Sequence, residues 1–330
     1  MKRNIAIIAG GDSSEIVISL KSAEGIRSFL DKKKYNPYIA IVKRGEWAVV
    51  LPDGTETPID KNDFSFRGED GEVKHFDFAY ITIHGTPGEN GRLQGYFEMI
   101  GMPYSSCDTL VSALTFNKYV CNHYLKGFGV RIAPSIRLFH GESIETDKAI
   151  AELGLPIFVK PNDGGSSFGI TKVKEASALQ PAIAKAFAEG SEVVLESFIQ
   201  GTEVTSGCYK VKGKAVLLPL TEVVTSNEFF DFDAKYNGQV QEITPARISP
   251  TLTEKVQCET SRIYDILGAK GLIRIDYIIP EDGEPCLLEI NTTPGMTATS
   301  FIPQQVRAAG MTMTEVMDDI IEAELRNKEK

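Results

Sequence analysis

Hydrophobic positions along the chain alternate between short strand patterns and longer helical patterns. An apolar segment at 4–9 ends at a Gly-Gly pair, which predicts a buried first strand followed by a tight turn. Apolar residues then recur at helical spacing over 16–30, and the segments 38–42 and 78–83 return to strand patterns. Strand, helix and strand in this order predict a doubly wound parallel sheet, which binds ligands at the carboxyl ends of its strands.

The pattern of predicted elements changes near residue 105 and again near residue 197. A hairpin is predicted at 47–58 around an Asp-Gly turn, and the pattern after about residue 197 becomes rich in strands. The further predicted helices are 109–126, 175–189, 251–267 and 314–326. The further predicted strands are 157–160, 170–173, 193–196, 203–210, 215–221, 273–279 and 286–290. Boundaries near residues 105 and 197 therefore predict three domains, namely 1–105, 106–197 and 198–330.

Composition narrows the classes of protein that fit these elements. Hydrophobic residues make up 42% and charged residues 24%, which is typical of a globular enzyme and not of a disordered chain. Acidic residues outnumber basic ones by 45 to 35, so the chain lacks the basic footprint of a general nucleic-acid binder. No apolar run reaches the roughly 18 residues that predict a membrane span. Five scattered cysteines without a CxxC motif argue against a disulfide framework or a zinc site and favour a reducing cytoplasm.

The segment 272–295 has the most specific arrangement of polar residues. Two apolar runs flank an Asp-Gly pair, which is a strong hairpin signal. If those two residues form the loop, Asp276 lies opposite Glu289 and Arg274 lies opposite Asn291. Because side chains alternate along a strand, all four then share one face of the hairpin.

Two carboxylates directly opposite each other repel, so this hairpin requires a compensating positive charge. The arginine alone would provide one, and that reading stays open. The two carboxylates and the asparagine together offer only oxygen ligands, which Mg²⁺ prefers alongside water and phosphate. The pattern therefore favours a magnesium site. The same register predicts that Pro280 faces Pro285 at a non-hydrogen-bonded pair.

Four other segments carry candidate chemistry, each with a plainer alternative. The sequence KPNDGGSSFG at 160–169 suits a phosphate loop, because glycine and serine let backbone N–H groups approach phosphate oxygens, although an ordinary hairpin tip would look similar. GGDSSE at 10–15 suits a ligand cradle or simple helix capping. HGTPGENGRLQG at 84–95 suits an active-site loop or a turn-rich connection. The long segment at 221–241 suits a lid or an excursion anchored by aromatic residues.

Taken in order, these motifs resemble those of the D-alanine–D-alanine ligases, members of the ATP-grasp superfamily. The resemblance rests on HGTPGENGRLQG, KPNDGGSSFG, FDFDAKY, RIDY and LLEINTTPGM, which run over nearly the whole chain. It implies a three-domain α/β enzyme in which a doubly wound N-terminal substrate domain precedes two α+β domains that clamp ATP. The implied reaction joins two D-alanines through a D-alanyl phosphate, giving ADP and phosphate, for peptidoglycan and cell-wall synthesis in the cytoplasm. A homodimer is also implied.

The resemblance assigns expected roles to individual residues. The residues matched to ATP, from the phosphates through the adenine to the ribose, are Lys118, Lys160, Ser167, Glu196, Ser197, Ile199 and Glu203. The residues matched to two Mg²⁺ or Mn²⁺ ions are Asp276, Glu289 and Asn291. The residues matched to the two D-alanines and the reacting atoms are Glu15, His84, Ser166, Lys235, Tyr236, Arg274, Gly295 and Ser300.

Among the residues matched to the D-alanines and the reacting atoms, the resemblance implies different binding partners. Glu15 is matched to the ammonium group of the first D-alanine. Arg274 and the Gly295 N–H are matched to the oxyanion of the tetrahedral intermediate. Lys235 and Ser300 are matched to the carboxylate of the second D-alanine.

Other functions stay open on the sequence. A D-alanine–D-lactate ligase would use the same machinery, although Tyr236 favours the dipeptide product because depsipeptide ligases of the resistance type generally lack that tyrosine. Another ATP-grasp carboxylate–amine ligase and a non-catalytic nucleotide-binding sensor are further alternatives. An NAD-dependent oxidoreductase is disfavoured because the GxGxxG fingerprint is absent.

Overall fold

The computed structural model describes residues 2–13, 15–163, 169–225 and 240–328. Within these residues the strands form three sheets that follow one another along the chain, and helices cover their faces. The predicted α/β class is therefore confirmed. None of the described helices is long and apolar enough to cross a membrane.

The first sheet surrounds the N-terminal strand. Its described strands are β1 (Arg3–Gly10), β2 (Tyr35–Val42), β3 (Trp47–Val50), β4 (Glu56–Asp60), β5 (Ser65–Arg67), β6 (Val73–Lys74) and β7 (Phe78–Ile81), in the order β6-β5-β4-β3-β2-β1-β7. β1 pairs in parallel with β2 and β7, whereas β3 to β6 extend the sheet with antiparallel pairs. The parallel part agrees with the predicted doubly wound sheet, and the predicted hairpin at 47–58 is its extension.

Helices lie on both faces of this sheet because side chains alternate along β1. Ile5 and Ile7 belong to the same apolar cluster as Ile26 of helix α1 (Ile16–Phe29). Ile8 packs on the opposite face with Phe97 of helix α2 (Arg92–Met99). The carboxyl ends of β1 and β7 thus open between the two helical layers, where the glycine-rich loops follow.

Two short helices lead from the first sheet to the second. The segment 109–126, predicted as one helix, consists of α3 (Thr109–Phe116) and α4 (Lys118–Lys126). The single-helix prediction was wrong because Asn117 adopts an extended conformation, with φ −90° and ψ 98°. Its side chain accepts a hydrogen bond from the Val120 N–H and thereby caps α4.

The second sheet is antiparallel and has one apolar face and one face toward a cavity. Its described strands are β8 (Ser135–Phe139), β9 (Ile157–Pro161), β10 (Thr171–Val173) and β11 (Glu192–Ser197), in the order β10-β9-β11-β8. Helices α5 (Thr146–Leu153) and α6 (Leu179–Phe187) cover the apolar face. Alternation along the strands places Lys160 of β9 and Glu196 of β11 on the cavity face.

The third sheet forms the opposite wall of the cavity. Its described strands are β12 (Thr202–Val211), β13 (Lys214–Leu217), β14 (Thr221–Thr225), β15 (Val240–Ile243), β16 (Ile273–Ile279) and β17 (Cys286–Asn291). The order is β15-β14-β12-β16-β17, with β13 paired to β12. Helix α7 (Pro250–Leu267) covers its apolar face.

One expectation for this sheet was wrong, and a second, the lid, stays a prediction. The predicted strand 215–221 is two strands, because β13 pairs with the end of β12 whereas β14 pairs with its beginning. The predicted lid at 221–241 starts and ends in strand, since β14 and β15 pair with each other. Residues 226–239 of that segment lie outside the described residues.

The hairpin of β16 and β17 has the predicted register where the polar residues lie. Arg274 is opposite Asn291, and Asp276 is opposite Glu289. All four residues line the cavity. The prediction that they share one face is therefore confirmed.

Beyond this pair the register shifts by one residue. Tyr277 is opposite Leu287, which leaves Leu288 as the extra residue of a β-bulge. The predicted facing of Pro280 and Pro285 was therefore wrong. The bulge has a physical reason: strict alternation would put Leu287 on the face of Glu289, whereas Leu287 is 2% exposed in the apolar core.

The first and third sheets share one apolar core. Helices α8 (Phe301–Ala308) and α9 (Met313–Lys328) follow the third sheet in the chain but pack in the cluster that contains Ile5 and Ile7 of β1. Arg3 of β1 also forms an ion pair of 2.6 Å with Glu322 of α9. The domain boundaries near 105 and 197 fall between sheets and stay predictions.

Candidate active site

A cavity of about 910 Å³ lies between the second and third sheets and reaches the carboxyl ends of β1 and β7. Every predicted site residue that the structure describes lines this cavity. These residues are Glu15, His84, Lys118, Lys160, Glu196, Ser197, Ile199, Glu203, Arg274, Asp276, Glu289, Asn291, Gly295 and Ser300. The other predicted site residues, Ser166, Ser167, Lys235 and Tyr236, lie outside the described residues.

A forked ion pair defines the third-sheet wall. Arg274 donates from Nε and Nη2 to the two carboxylate oxygens of Asp276, at 2.9 and 2.8 Å. The Glu289 carboxylate lies 4.0 Å from Nη2 of the same arginine. Burial opposes the charge of Arg274, but the facing carboxylates, above all Asp276, outweigh it and raise the pKa of the guanidinium. The arginine is thus a fixed cation whose Nη1 makes no hydrogen bond to another described residue.

The oxygen donors beside this arginine form a partial metal shell. Asp276 and Glu289 contribute carboxylates, and Asn291 contributes an amide oxygen that accepts a hydrogen bond of 3.1 Å from the Thr293 N–H. Lys118 Nζ lies 3.9 Å from Glu289. No group of three or more His, Cys, Asp or Glu residues gathers as a metal site in the described ranges. Two carboxylates and an amide fit Mg²⁺ or Mn²⁺ when phosphate and water supply the remaining ligands.

A buried ion pair defines the second-sheet wall. Lys160 Nζ lies 2.7 Å from the Glu196 carboxylate, and the two side chains are 7% and 8% exposed. They extend from neighbouring antiparallel strands, β9 and β11. Each charge is therefore held in place before any ligand enters the cavity.

The end of the cavity beyond this pair is largely apolar. Both hydrogen-bond donors of Ser197 are used within the protein. Its N–H donates to the Pro134 carbonyl at 2.9 Å, and its hydroxyl donates to the Leu153 carbonyl at 2.8 Å. Apolar and aromatic side chains surround that position, namely Phe158, Ile170, Phe198, Ile199 and Leu288. An apolar slot with a few polar groups suits a planar heterocycle.

The loops of the first sheet close the other end. Glu15 precedes α1, and His84 follows β7. Burial lowers the pKa of His84, the nearby Glu15 raises it, and Arg274 lowers it further. The net result is a lowered pKa, which keeps the imidazole neutral at neutral pH.

Gly295 and Ser300 lie at the same end, beside the N-terminus of α8. Ser300 Oγ accepts a hydrogen bond of 3.1 Å from the Thr297 N–H. A Cβ atom at Gly295 would lie 3.0 Å from that Oγ, which is closer than side chains normally pack. Glycine at this position therefore leaves room for a ligand to approach the backbone N–H.

Glu89 is a cavity residue that the sequence did not single out. Its carboxylate accepts a hydrogen bond of 2.6 Å from the Gly85 N–H. Burial raises the pKa of Glu89 to about 8, against the lowering effect of that hydrogen bond. An acidic residue inside the glycine-rich motif HGTPGENGRLQG was the available signal, but its burial depends on the path of the loop.

Two family matches cover most of the chain. The family described as D-ala D-ala ligase N-terminus matches residues 4–107. The family described as D-ala D-ala ligase C-terminus matches residues 124–322.

Individual proteins extend the similarity to full length. A D-alanine–D-alanine ligase of Parabacteroides distasonis is 80% identical over 328 residues, which cover 99% of each chain. The crystal structure of a D-alanine–D-alanine ligase from Bacillus anthracis complexed with ATP is 30% identical, covers 99% of each chain and has a TM-score of 0.79. A D-Ala:D-Ser ligase from Enterococcus faecalis is also 30% identical, with a TM-score of 0.86 over 98% of this chain and 99% of that one.

Proposed function

The chain belongs to the D-alanine–D-alanine ligase family, and from this premise we propose how its cavity residues divide the work of the reaction. The enzyme is an ADP-forming ligase that joins two D-alanines at the expense of ATP. The product, D-alanyl-D-alanine, is a precursor of peptidoglycan.

One observation carries the assignment: cationic and anionic side chains face each other across a single cavity. Lys160 lies on one wall and the Arg274–Asp276 fork on the other. Lys118 Nζ lies 3.9 Å from Glu289 of the third-sheet wall. A nucleotide whose base occupies the apolar slot would extend its phosphates toward these charges.

The first step activates a carboxylate, which is a poor electrophile. A carboxylate oxygen of the first D-alanine attacks the γ-phosphorus of ATP. The bond between that phosphorus and the β,γ-bridging oxygen breaks, and ADP leaves with that oxygen. Lys118 and Lys160 bind the phosphate oxygens and offset the charge of the transferred group. Glu15 binds the ammonium group of this D-alanine, and the neutral His84 adds no competing charge beside it.

The second step forms the amide. The free amine of the second D-alanine attacks the acyl carbon of D-alanyl phosphate and loses a proton, and the tetrahedral intermediate then expels phosphate, which takes up that proton. Arg274 and the Gly295 N–H stabilise the oxyanion, and one such donor contributes about 3–4 kcal/mol. The Asp276 fork orients Arg274 for this role. Ser300, together with Lys235, binds the carboxylate of the second D-alanine.

Asp276, Glu289 and Asn291 would hold two Mg²⁺ or Mn²⁺ ions. Such ions, when bound, neutralise negative charge on phosphate oxygens during phosphoryl transfer. The donor chemistry described above supports this assignment.

The remaining roles rest on the resemblance of the motifs. Ser166 and Tyr236 orient the substrates together with Glu15, and Ser167 covers the phosphates. Glu196, Ser197 and Ile199 contact the adenine, and Glu203 binds the ribose. Acyl phosphates hydrolyse, so the segments 164–169 and 221–241 act as lids that exclude water.

Phosphate release from ATP tests the proposed chemistry. D-alanine, L-alanine and D-lactate are compared side by side, and products are separated by chromatography. We expect phosphate and dipeptide with D-alanine alone. A depsipeptide made from D-alanine and D-lactate would instead support the lactate ligase, and phosphate release independent of D-alanine would contradict the assignment.

A Glu289→Gln variant tests the metal site. Glutamine keeps the shape of the side chain but removes its charge, so Mg²⁺-dependent turnover should be lost. The control is Glu284→Gln on the exposed turn of the same hairpin, which should leave the Mg²⁺ dependence unchanged. Full activity of the Glu289 variant at the same Mg²⁺ concentration would reject this site.

We propose that the enzyme is a homodimer in the cytoplasm. The location we propose, the cytoplasm, rests on the family alone. A homodimer is supported by an exposed apolar pair, Met99 on α2 and Leu110 on α3, which are 82% and 73% exposed. Hydrogen bonds from Thr109 to Glu98 hold these two helix ends together. Sedimentation should give a dimer for the wild type and a monomer for Leu110→Lys. A monomeric wild type would contradict the proposal.

A further inference from the structure

A ring of polar contacts lies behind the cavity and joins α4 to the second sheet. Asn162 follows β9, and its Oδ1 accepts a hydrogen bond of 2.9 Å from the Tyr119 N–H. Its Nδ2 donates to the Glu192 carboxylate at 2.7 Å. Arg137 closes the ring, since it lies 3.7 Å from Glu192 and its guanidinium lies 4.8 Å from the centre of the Tyr119 ring. These four residues are absent from the cavity lining.

Asn162 is the centre of this ring and is 0% exposed. Its backbone adds two contacts: its N–H donates to the Glu192 carbonyl at 2.9 Å, and its carbonyl accepts from the Lys118 N–H at 3.4 Å. Both ends of its side-chain amide are therefore satisfied in a buried place. A network of this kind holds its members in one geometry, because each broken contact leaves a buried polar group unpaired.

The same contacts complete the N-terminus of α4. The first N–H groups of a helix have no partner within the helix. In α4 those of Lys118 and Tyr119 bond to Asn162, whereas that of Val120 bonds to Asn117. Asn162, which follows β9, thus fixes the start of α4 together with the local cap Asn117.

This arrangement connects the two cavity lysines through one side chain. Lys118 is the first residue of α4, and Lys160 lies two residues before Asn162. Lysine side chains are flexible, so the positions of their ammonium groups depend on how the backbone is anchored. A misplacement of about 1 Å in such groups lowers reaction rates by roughly 100-fold in well-oriented systems.

We propose that Asn162 is a positioning residue that fixes the spacing between Lys118 and Lys160. The inference rests on the proposed function, which assigns the ATP phosphates to these two lysines. Asn162 acts through the backbone of α4 and β9 and touches no substrate.

A pair of substitutions tests the hydrogen-bond ring. Asn162→Asp keeps the acceptor for Tyr119 but sets a carboxylate against Glu192, so the KM for ATP should rise about 10-fold and kcat should fall, while the KM values for D-alanine stay unchanged. Glu192→Gln alone should remain within about threefold of wild type, because the glutamine oxygen still accepts from Nδ2. In the double variant the glutamine amide donates to the new carboxylate, and the KM for ATP should recover.

Controls separate positioning from general stability. Asn36→Asp removes a similar side-chain donor, since Asn36 Nδ2 donates to Asn4 at 3.1 Å in the first sheet, and it should leave the KM for ATP unchanged. Thermal midpoints are measured for all variants. A destabilised Asn162→Asp enzyme with an unchanged KM for ATP, or a folded double variant without recovery, would overturn the proposal.

A Lys118→Ala variant separates a failure of the proposed phosphate role of Lys118 from a failure of the positioning role of Asn162. If its KM for ATP is unchanged, the phosphate role of the lysine is wrong and the proposed function fails. If that KM rises but the KM for ATP of Asn162→Asp does not, only the positioning role fails. A rise in both, with recovery in the double variant, supports both assignments.

Discussion

The ammonium group of Lys160 lies 2.7 Å from the Glu196 carboxylate in a place where both side chains are almost completely buried. Removing two charges from water is costly, and their attraction offsets that cost only while both are present. The stability of the second sheet therefore depends on keeping both charges of the pair together.

Single substitutions of this pair should be more harmful than the double one. Glu196→Leu or Lys160→Met alone leaves one buried charge unpaired and should lower the free energy of unfolding by about 3–5 kcal/mol. The double variant should lose much less than the sum of the two. Urea unfolding without nucleotide measures all four proteins, and strictly additive losses would contradict the coupling.

Arg274→Lys should lower kcat by about 100-fold, because a lysine cannot match the two oxygens of Asp276 and still present a donor to the oxyanion. Arg262 provides a matched control, since it forms the same kind of fork with Glu259 at 2.8 and 2.7 Å on an exposed helix face. Arg262→Lys should leave kcat unchanged. Initial rates at saturating substrates measure both, and equal effects would remove the special role of Arg274.

Two helical glycines should respond to alanine in opposite directions. A Cβ atom at Gly25 in α1 would lie 2.2 Å from the Met296 carbonyl oxygen, so Gly25→Ala must displace α1 or the loop that carries Gly295. We expect a loss of several kcal/mol in stability and reduced kcat. A Cβ atom at Gly95 in α2 meets its nearest neighbour at 3.4 Å, so Gly95→Ala should gain up to about 1 kcal/mol from helix propensity. Thermal unfolding measures whether each variant loses or gains stability relative to the wild type.

Glu89 should make stability depend on pH between about 4.5 and 8. Burial raises its pKa to about 8, so over this range the folded enzyme keeps a proton that the unfolded chain has released. The unfolded state then binds fewer protons, and stability falls as pH rises by at most about 1.4 kcal/mol per pH unit.

A Glu89→Gln variant should reduce that pH dependence, because glutamine does not titrate. Thermal midpoints from pH 5 to 8, in EDTA and without nucleotide, compare the two proteins. Asp63→Asn on the first-sheet surface is the control, since its carboxyl has a lowered pKa and titrates below this window. Parallel curves for wild type and Glu89→Gln would show that another group is responsible.

The chemistry of the β16–β17 hairpin was predictable because local rules determine it. An Asp-Gly turn and alternating side chains were enough to pair Asp276 with Glu289. The bulge at Leu288 was not predictable, since it arises from competition between two long-range demands. Leu287 belongs to the apolar core, whereas Glu289 faces the cavity, and no local pattern records that conflict.

The roles of residues that contact distant elements could also not be predicted from the sequence. Asn162 looked like part of a phosphate loop, but its side chain caps a helix that lies more than 40 positions earlier in the chain. The break at Asn117 had a local signal, because asparagine is a common helix cap, yet apolar residues at helical spacing on both sides concealed it. Motifs indicated where the cavity lies, and tertiary contacts determine which groups support it.

The core shared by β1 and α9 has a consequence for folding during synthesis on the ribosome. Ile5 and Ile7 are synthesised before the helices beyond residue 300, which provide part of their apolar covering. That face of the first sheet, although packed against α1, therefore stays partly exposed to water until α8 and α9 have emerged from the ribosome. Chains that stall before Phe301 would expose part of this apolar face and become targets for chaperones and proteases.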